Sequence, residues 1–169
     1  LDQNRVAGVT FAGGIFTNLT HDHLDYHKNF ENYFTAKKKF FQMLPARAFA
    51  LTNMDDAYGL KMLQDIKAHQ FSYGFTPFAS GTSPYFRGRQ GGGTNFDFHG
   101  EVKKLDFDGL QLSFNKIDIN SKLLGKFNAY NLLAVWSACS LLGFDMQKVN
   151  KILENIEPPR GRFEHFTSG

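Results

Sequence analysis

The hydrophobic pattern of this chain changes period partway along, and that change constrains the fold more than any other feature of the sequence. In the first half, short apolar runs rich in β-formers, "GIFTNL" (14–19), "AFALTN" (48–53) and "HQFSYGF" (69–75), alternate with stretches whose apolar residues recur at helical spacing. One such stretch, "DDAYGLKMLQDI" (55–66), opens with Asp55 or Asp56 in the place of an N-cap. Strand, helix, strand, helix predicts parallel strands joined by crossover helices. From Thr76 to Gly93 the chain is rich in Gly, Pro and Ser, and "GRQGGGTN" (88–95) reads as a flexible loop. Beyond it "TNFDFHG", "KLDFDG" and "LQLSFNKIDIN" alternate with period two, broken by Gly100 and Gly109, which predicts a small antiparallel sheet. Two helices should follow, "NAYNLLAVWSACSLLGF" (128–144) and "DMQKVNKILENI" (145–156), before Pro158-Pro159 ends regular structure. The expected class is α/β: a mostly parallel sheet flanked by helices, with a small antiparallel sheet, over residues 1–157, and a linker over 158–169.

With 169 residues, 42% hydrophobic and 15% aromatic, the chain has the material for one substantial core. Its net charge is only +3 and its cations are spread along the sequence, so no nucleic-acid footprint is expected. The single cysteine, Cys139, sits in the apolar run "AVWSACSLLGF", which excludes an internal disulfide and suits the cytoplasm. No apolar run reaches the roughly 18–20 residues of a membrane-spanning helix, and the N-terminus has no signal-peptide pattern, so no membrane partner is expected. The chain starts at Leu1, and "LDQNRVAG" reads like the middle of a structure. A fragment of a longer protein is the expectation.

Two local features carry chemistry. With Asn29 as N-cap and a helix from Phe30, about 100° per residue places Tyr33, Phe34, Phe41 and Leu44 on one apolar face. Lys37 falls on that face as well, whereas Lys39 points to the opposite side and Lys38 to the flank. An ordinary explanation is that the Lys37 stem lies along the aromatics and brings its ammonium to water. The alternative is a site lysine, since a desolvated amine favours its neutral form and can then act as a nucleophile or take up carbon dioxide as a carbamate. The second feature is His21, His23, Asp25 and His27, an H-x-H-x-D-x-H run just after a predicted strand. It suits either a hydrolase metal site or a polar turn whose histidines cap helices and hydrogen-bond locally.

"FTNLTHDHLDYH" (16–27) and "NYFTAKKKFF" (32–41) strongly resemble the central domain of the Mur ligases, in the UDP-N-acetylmuramoyl-tripeptide synthetase branch. "LDQNRV" at the start, "LLGKFNAYNLLAV" (123–135) and "PPRGRFE" (158–164) occur in the order that family uses, so the resemblance covers essentially the whole chain. It implies a P-loop-type α/β ATPase fold with a small extra sheet, in a cytoplasmic enzyme of peptidoglycan biosynthesis. Such an enzyme phosphorylates a peptide carboxylate with ATP and couples it to an amino acid. Residue by residue, it implies that His23 helps hold Mg2+ and that Lys37 is carried as a carbamate. Gln3 and Arg5 match contacts to the UDP-MurNAc-dipeptide substrate, while Asn18, Asn128, Asn131 and Arg162 match positions near the nucleotide. His23 and Lys37 lie 14 positions apart, about 21 Å along one straight helix, so a shared metal environment needs a chain reversal, most naturally at His27-Lys28-Asn29. Ordinary roles are open to several of these: Asn128 as a cap, Asn131 bonding backbone, and Arg162 in a solvated linker.

The departures are equally definite. The Gly-rich phosphate loop ending in Gly-Lys-Ser/Thr is absent: "GKF" (125–127) lacks the hydroxyl residue and "GRQGGGTN" lacks the lysine. The acidic magnesium-binding segment that precedes "LDQNRV" in the family is missing too, as are its UDP-binding N-terminal domain and its C-terminal domain. The expectation is therefore a partial central domain, probed best in the full-length ligase and inactive alone. On sequence grounds a metal-dependent hydrolase using the histidine cluster, or a non-catalytic module derived from a ligase domain, stays open.

Overall fold

A computed structural model describes residues 8–19, 30–75 and 96–157. The chain divides into two compact units, Leu1–Tyr73 and Gly74–Gly169.

The first unit follows the strand and helix alternation. Strands β1 (Gly13–Phe16), β2 (Phe49–Asn53) and β3 (His69–Gly74) pair in parallel, with Ile15 opposite Leu51 and Leu51 opposite Phe71. Every residue of β2 is buried, as expected of a central strand covered on both faces. Helix α1 (Phe30–Met43) connects β1 to β2. It lays Phe41, with Leu44 just beyond its end, into a core shared with Phe16, Leu19, Ala48, Ala50 and Met62, and Tyr33 and Phe34 pack at the margin. The apolar face drawn from the helical wheel is therefore the packed face, and Lys39 is exposed opposite it. Asn29, its expected N-cap, lies outside the described residues.

The second connection departs from expectation. "DDAYGLKMLQDI" forms only the one-turn helix α2 (Gly59–Met62), which ends through Leu63 and a left-handed Asp65 at φ 53°. Neither aspartate caps it: the N-cap is Tyr58, with no side-chain cap, and Asp56 instead folds an Asx turn onto the Tyr58 N–H at 2.8 Å.

The second unit is a β-meander with two helices. Strands β4 (Phe98–Asp106), β5 (Gly109–Phe114) and β6 (Ile117–Ser121) pair antiparallel in sequence order, as the period-two pattern requires. The β5–β6 hairpin closes through Asn115 and Lys116, both at positive φ (46° and 72°), the backbone of a tight primed turn. Gly100 does not break its strand but pairs with Phe114 inside β4. A Cβ there would sit 2.5 Å from the Phe75 ring and 2.8 Å from Leu133, so the glycine makes room for packing. Helices α3 (Lys126–Leu141) and α4 (Met146–Asn155) close the unit, with Asp145 as a true N-cap accepting from the Gln147 and Lys148 amides. Trp136 packs edge-on to Phe98 and tilted to Phe114, while its indole N–H donates to Asn150 on α4 at 2.9 Å. Among the described residues no helix is long and apolar enough to cross a membrane. The 76–93 stretch and Pro158-Pro159 with the 158–169 linker lie outside the described residues.

Candidate functional site

Parallel strands collect ligands beyond their C-terminal ends, where the loops leaving the sheet converge. In the first unit that edge is built from residues 17–19 after β1 and 53–56 after β2. Asn53 donates its side-chain N–H to the Thr17 carbonyl at 2.8 Å and accepts the Asp55 N–H at 3.0 Å. The next peptide, between Asn18 and Leu19, is gripped from both sides. Its carbonyl accepts the Lys37 ammonium at 3.0 Å, and its N–H donates to Asp56 Oδ2 at 3.1 Å. The chain thus leaves β1 along a path held by β2, by α1 and by the β2–α2 turn.

Lys37 is half-buried, with its Nζ 4.8 Å from the Tyr33 ring centroid and 5.8 Å from that of Phe16. Both rings favour a cation over their faces, which suits the ammonium. A carbamate formed on the same nitrogen gives up that attraction.

Its neighbour Lys38 does something the helical wheel did not foresee. Its ammonium donates to the carbonyls of Lys61 at 2.7 Å, Met62 at 3.2 Å and Gln64, closing the C-terminal end of α2. Burial pushes this lysine below its ordinary pKa, with the Asp65 charge acting in the opposite direction.

Of the residues expected at the site, the structure therefore brings together Lys37 and the backbone of Asn18. In the second unit, Asn128 donates its side-chain N–H to the Leu124 carbonyl at 2.8 Å from the first turn of α3, and it is not the cap that the sequence offered, because the N-cap is Gly125 with no side-chain cap. Asn131 lies on the exposed face of α3 beside the buried Leu132 and Leu133. Gln3, Arg5, His21, His23, Asp25, His27 and Arg162 lie outside the described residues. Among the described residues no group of three or more His, Cys, Asp and Glu is placed to hold a metal ion. Sequence reasoning missed Asn53, Asp56 and Lys38. The Asn-x-Asp-Asp run after β2 held the signal for the first two, because Asn and Asp beside a strand end bond backbone amides two residues on. Nothing near Lys38 in sequence pointed to α2.

These features define an α/β domain whose strand ends present a lysine over a backbone path fixed by side chains. The chain belongs to the Mur ligase middle domain family, whose model matches residues 1–139. It is 45% identical over 168 residues to the UDP-N-acetylmuramoyl-L-alanyl-D-glutamate--2,6-diaminopimelate ligase of Parabacteroides distasonis, covering 99% of this chain and 31% of that protein. The ligase of the same name from Geobacter metallireducens is 34% identical over 174 residues, covering 97% of this chain and again 31% of the relative. The chain thus spans about a third of the length of these relatives. Among solved structures, a 2,6-diaminopimelate ligase superposes with TM-score 0.75 at 24% identity, over 99% of this chain and 33% of that one. MurF from Acinetobacter baumannii gives 0.69 at 17% identity, over 93% and 32%. These superpositions speak to the fold, and they agree with the expected α/β class.

Proposed function

We propose that this chain is part of the middle domain of an ATP-dependent amide ligase that adds 2,6-diaminopimelate to UDP-MurNAc-L-Ala-D-Glu in the cytoplasm. The observation that carries the reading is Lys37, whose Nζ sits on the Asn18 carbonyl at the C-terminal end of β1, in a chain similar over nearly its whole length to ligases of that name. The N-terminal domain that binds UDP and the C-terminal domain that receives the amino acid are its partners within a longer chain.

In this reaction the γ-phosphoryl group of ATP passes to the D-glutamate carboxylate, and the amine of the diamino acid then attacks the activated carbonyl and releases phosphate. Two anions must meet, so the barrier is electrostatic as well as geometric. The residues present fit a carbamylated Lys37 and Mg2+. The lysine nitrogen keeps an N–H for Asn18 after carbamylation, and the new oxygens are hard donors of the kind magnesium takes. Mg2+ usually binds one or two protein carboxylates together with phosphate oxygens and water, so a dedicated protein cage is not required. Lys37 as carbamate and His23 would hold the ion, which when bound offsets the charge gathered between phosphate and carboxylate. The chain's own part is orientation. Asn53, Asp56 and Lys37 fix the exit from β1, so that the following segment starts from one position. Gln3 and Arg5 would bind the dipeptide substrate. Asn18, Asn128, Asn131 and Arg162 would lie by the nucleotide, with Asn131 offering adenine both a donor and an acceptor.

The test uses the intact ligase containing this segment, with ATP, Mg2+, UDP-MurNAc-L-Ala-D-Glu and 2,6-diaminopimelate. Wild type forms the amide, Lys37→Ala abolishes turnover, and added short carboxylates restore part of it. Near-normal turnover of Lys37→Ala without additives removes the lysine from the mechanism. Failure of wild type to form the amide overturns the ligase reading itself.

A further inference from the structure

Lys38 has no part in the reaction just described, yet its ammonium holds three backbone carbonyls of another element. Those carbonyls, of Lys61, Met62 and Gln64, sit at and just beyond the end of the one-turn α2, and that of Lys61 also accepts the Gln64 N–H at 3.4 Å. Helix α2 is in turn fixed to the end of β2, because the buried Thr52 hydroxyl donates to the Gly59 carbonyl at 2.9 Å. Lys38 therefore connects α1 to the same sheet edge from which Asn53 and Asp56 hold the exit of β1.

We propose that Lys38 is a positioning residue for ligation: by clamping the C-terminal end of α2 it sets the rotation of α1 about its axis, and with it the placement of Lys37 on the Asn18 carbonyl. The inference rests on the ligase reading and adds a residue to it. The apolar contacts of Phe41 and Leu44 hold α1 against the core, but apolar attraction is non-directional and fixes a helix's angle only loosely. Directional bonds fix it closely. Consecutive helical residues diverge by about 100°, so Lys37 and Lys38 pull toward two different elements from one turn, one toward β1 and one toward α2. A rotation of about 10° at a side-chain radius of about 5–6 Å moves an atom by about 1 Å. A misplacement of that size near a reacting centre lowers rate on the order of 100-fold.

The experiment measures amide formation by the intact ligase. Lys38→Met, which keeps the stem and loses the donors, is expected to lower kcat roughly 10- to 100-fold while leaving KM for ATP and for the dipeptide substrate nearly unchanged. Lys38→Arg, which donates to the same carbonyls, should recover most of the loss. The decisive comparison is in a Lys37→Ala background assayed with added acetate. There Lys38→Met has no further effect if it acts through Lys37, whereas an equal proportional loss in both backgrounds marks a merely structural role and overturns the proposal. Unchanged kcat in Lys38→Met overturns it too. Should Lys38→Met fail to fold, Lys38→Gln, whose shorter side chain falls short of these carbonyls, takes its place: a lower kcat with Lys37 present and no further effect in the Lys37→Ala background supports the proposal, whereas an equal proportional loss in both or an unchanged kcat overturns it. Wild-type enzyme that forms no amide overturns the ligase reading and this inference with it, whereas an active wild type indifferent to Lys38 overturns the positioning alone.

Discussion

Removing the Asp56 carboxylate should loosen one named peptide by a calculable amount. Its Oδ2 accepts the Leu19 N–H at 3.1 Å, and Leu19 is only 7% exposed. A hydrogen bond to a charged group contributes about 1.5–3 kcal/mol, and leaving a buried N–H without an acceptor costs about 1–3 kcal/mol. The separation is long for a charge-assisted bond, so the lower part of these ranges applies and about 2 kcal/mol is a fair value. At about 1.4 kcal/mol per tenfold, Asp56→Ala should raise the local opening constant at Leu19 roughly 30-fold. Amide hydrogen exchange of the intact protein reads that constant directly, because protection reports local opening free energy. Asp56→Asn provides an internal check. Its single carbonyl oxygen can serve Leu19 or Tyr58 but not both, so one of those two amides should accelerate and the other stay protected. Leu19 exchange within about threefold of wild type in Asp56→Ala, well short of the roughly 30-fold expected, would refute the idea that this carboxylate holds the exit from β1.

Gly59→Ala places a Cβ 1.9 Å from the Asn53 carbonyl oxygen, a backbone atom that must move to accommodate it. The expected cost is about 1–3 kcal/mol, visible as faster exchange of the β2 amides, and unchanged exchange there contradicts the close approach. Burial pushes the Cys139 thiol above its ordinary pKa by disfavouring the thiolate. Because the folded thiol keeps its proton to higher pH than the unfolded one, iodoacetamide alkylation of native protein should rise at higher pH than in the denatured chain. Coincident pH profiles would contradict that burial.

The parallel strands were readable from sequence because each is a short apolar run with little competing helical periodicity. The meander was readable because alternation and hairpin turns are local properties. The helix expected over 55–66 was not realised beyond one turn, and the reason lies outside that segment's own periodicity. Asp56 is engaged by Leu19, which is 37 residues away in sequence, and the C-terminal carbonyls of α2 are taken by Lys38 from 23 to 26 residues away. Long-range bonds of this kind leave no periodic trace. The same holds for the site. Lys37 stood out as a charge on an apolar face, a local anomaly, whereas Lys38, one residue on, looked like an ordinary flank lysine.

The run Lys37-Lys38-Lys39 has a further consequence for how the segment tolerates length changes. Deleting one residue of α1 ahead of the run would bring Lys38 to face Asn18 and Lys39 to face α2, so the lysine pattern survives. The same deletion puts Gln42 where Phe41 packs and Pro45 where Leu44 packs, and the core refuses it. Inserting one residue does the reverse: Phe40 and Met43 fill the core positions acceptably, but Ala36 then faces Asn18. Aromatic packing thus polices shortening, and the lysine at the strand end polices lengthening, so between them the spacing from Tyr33 to Leu44 is held from both directions.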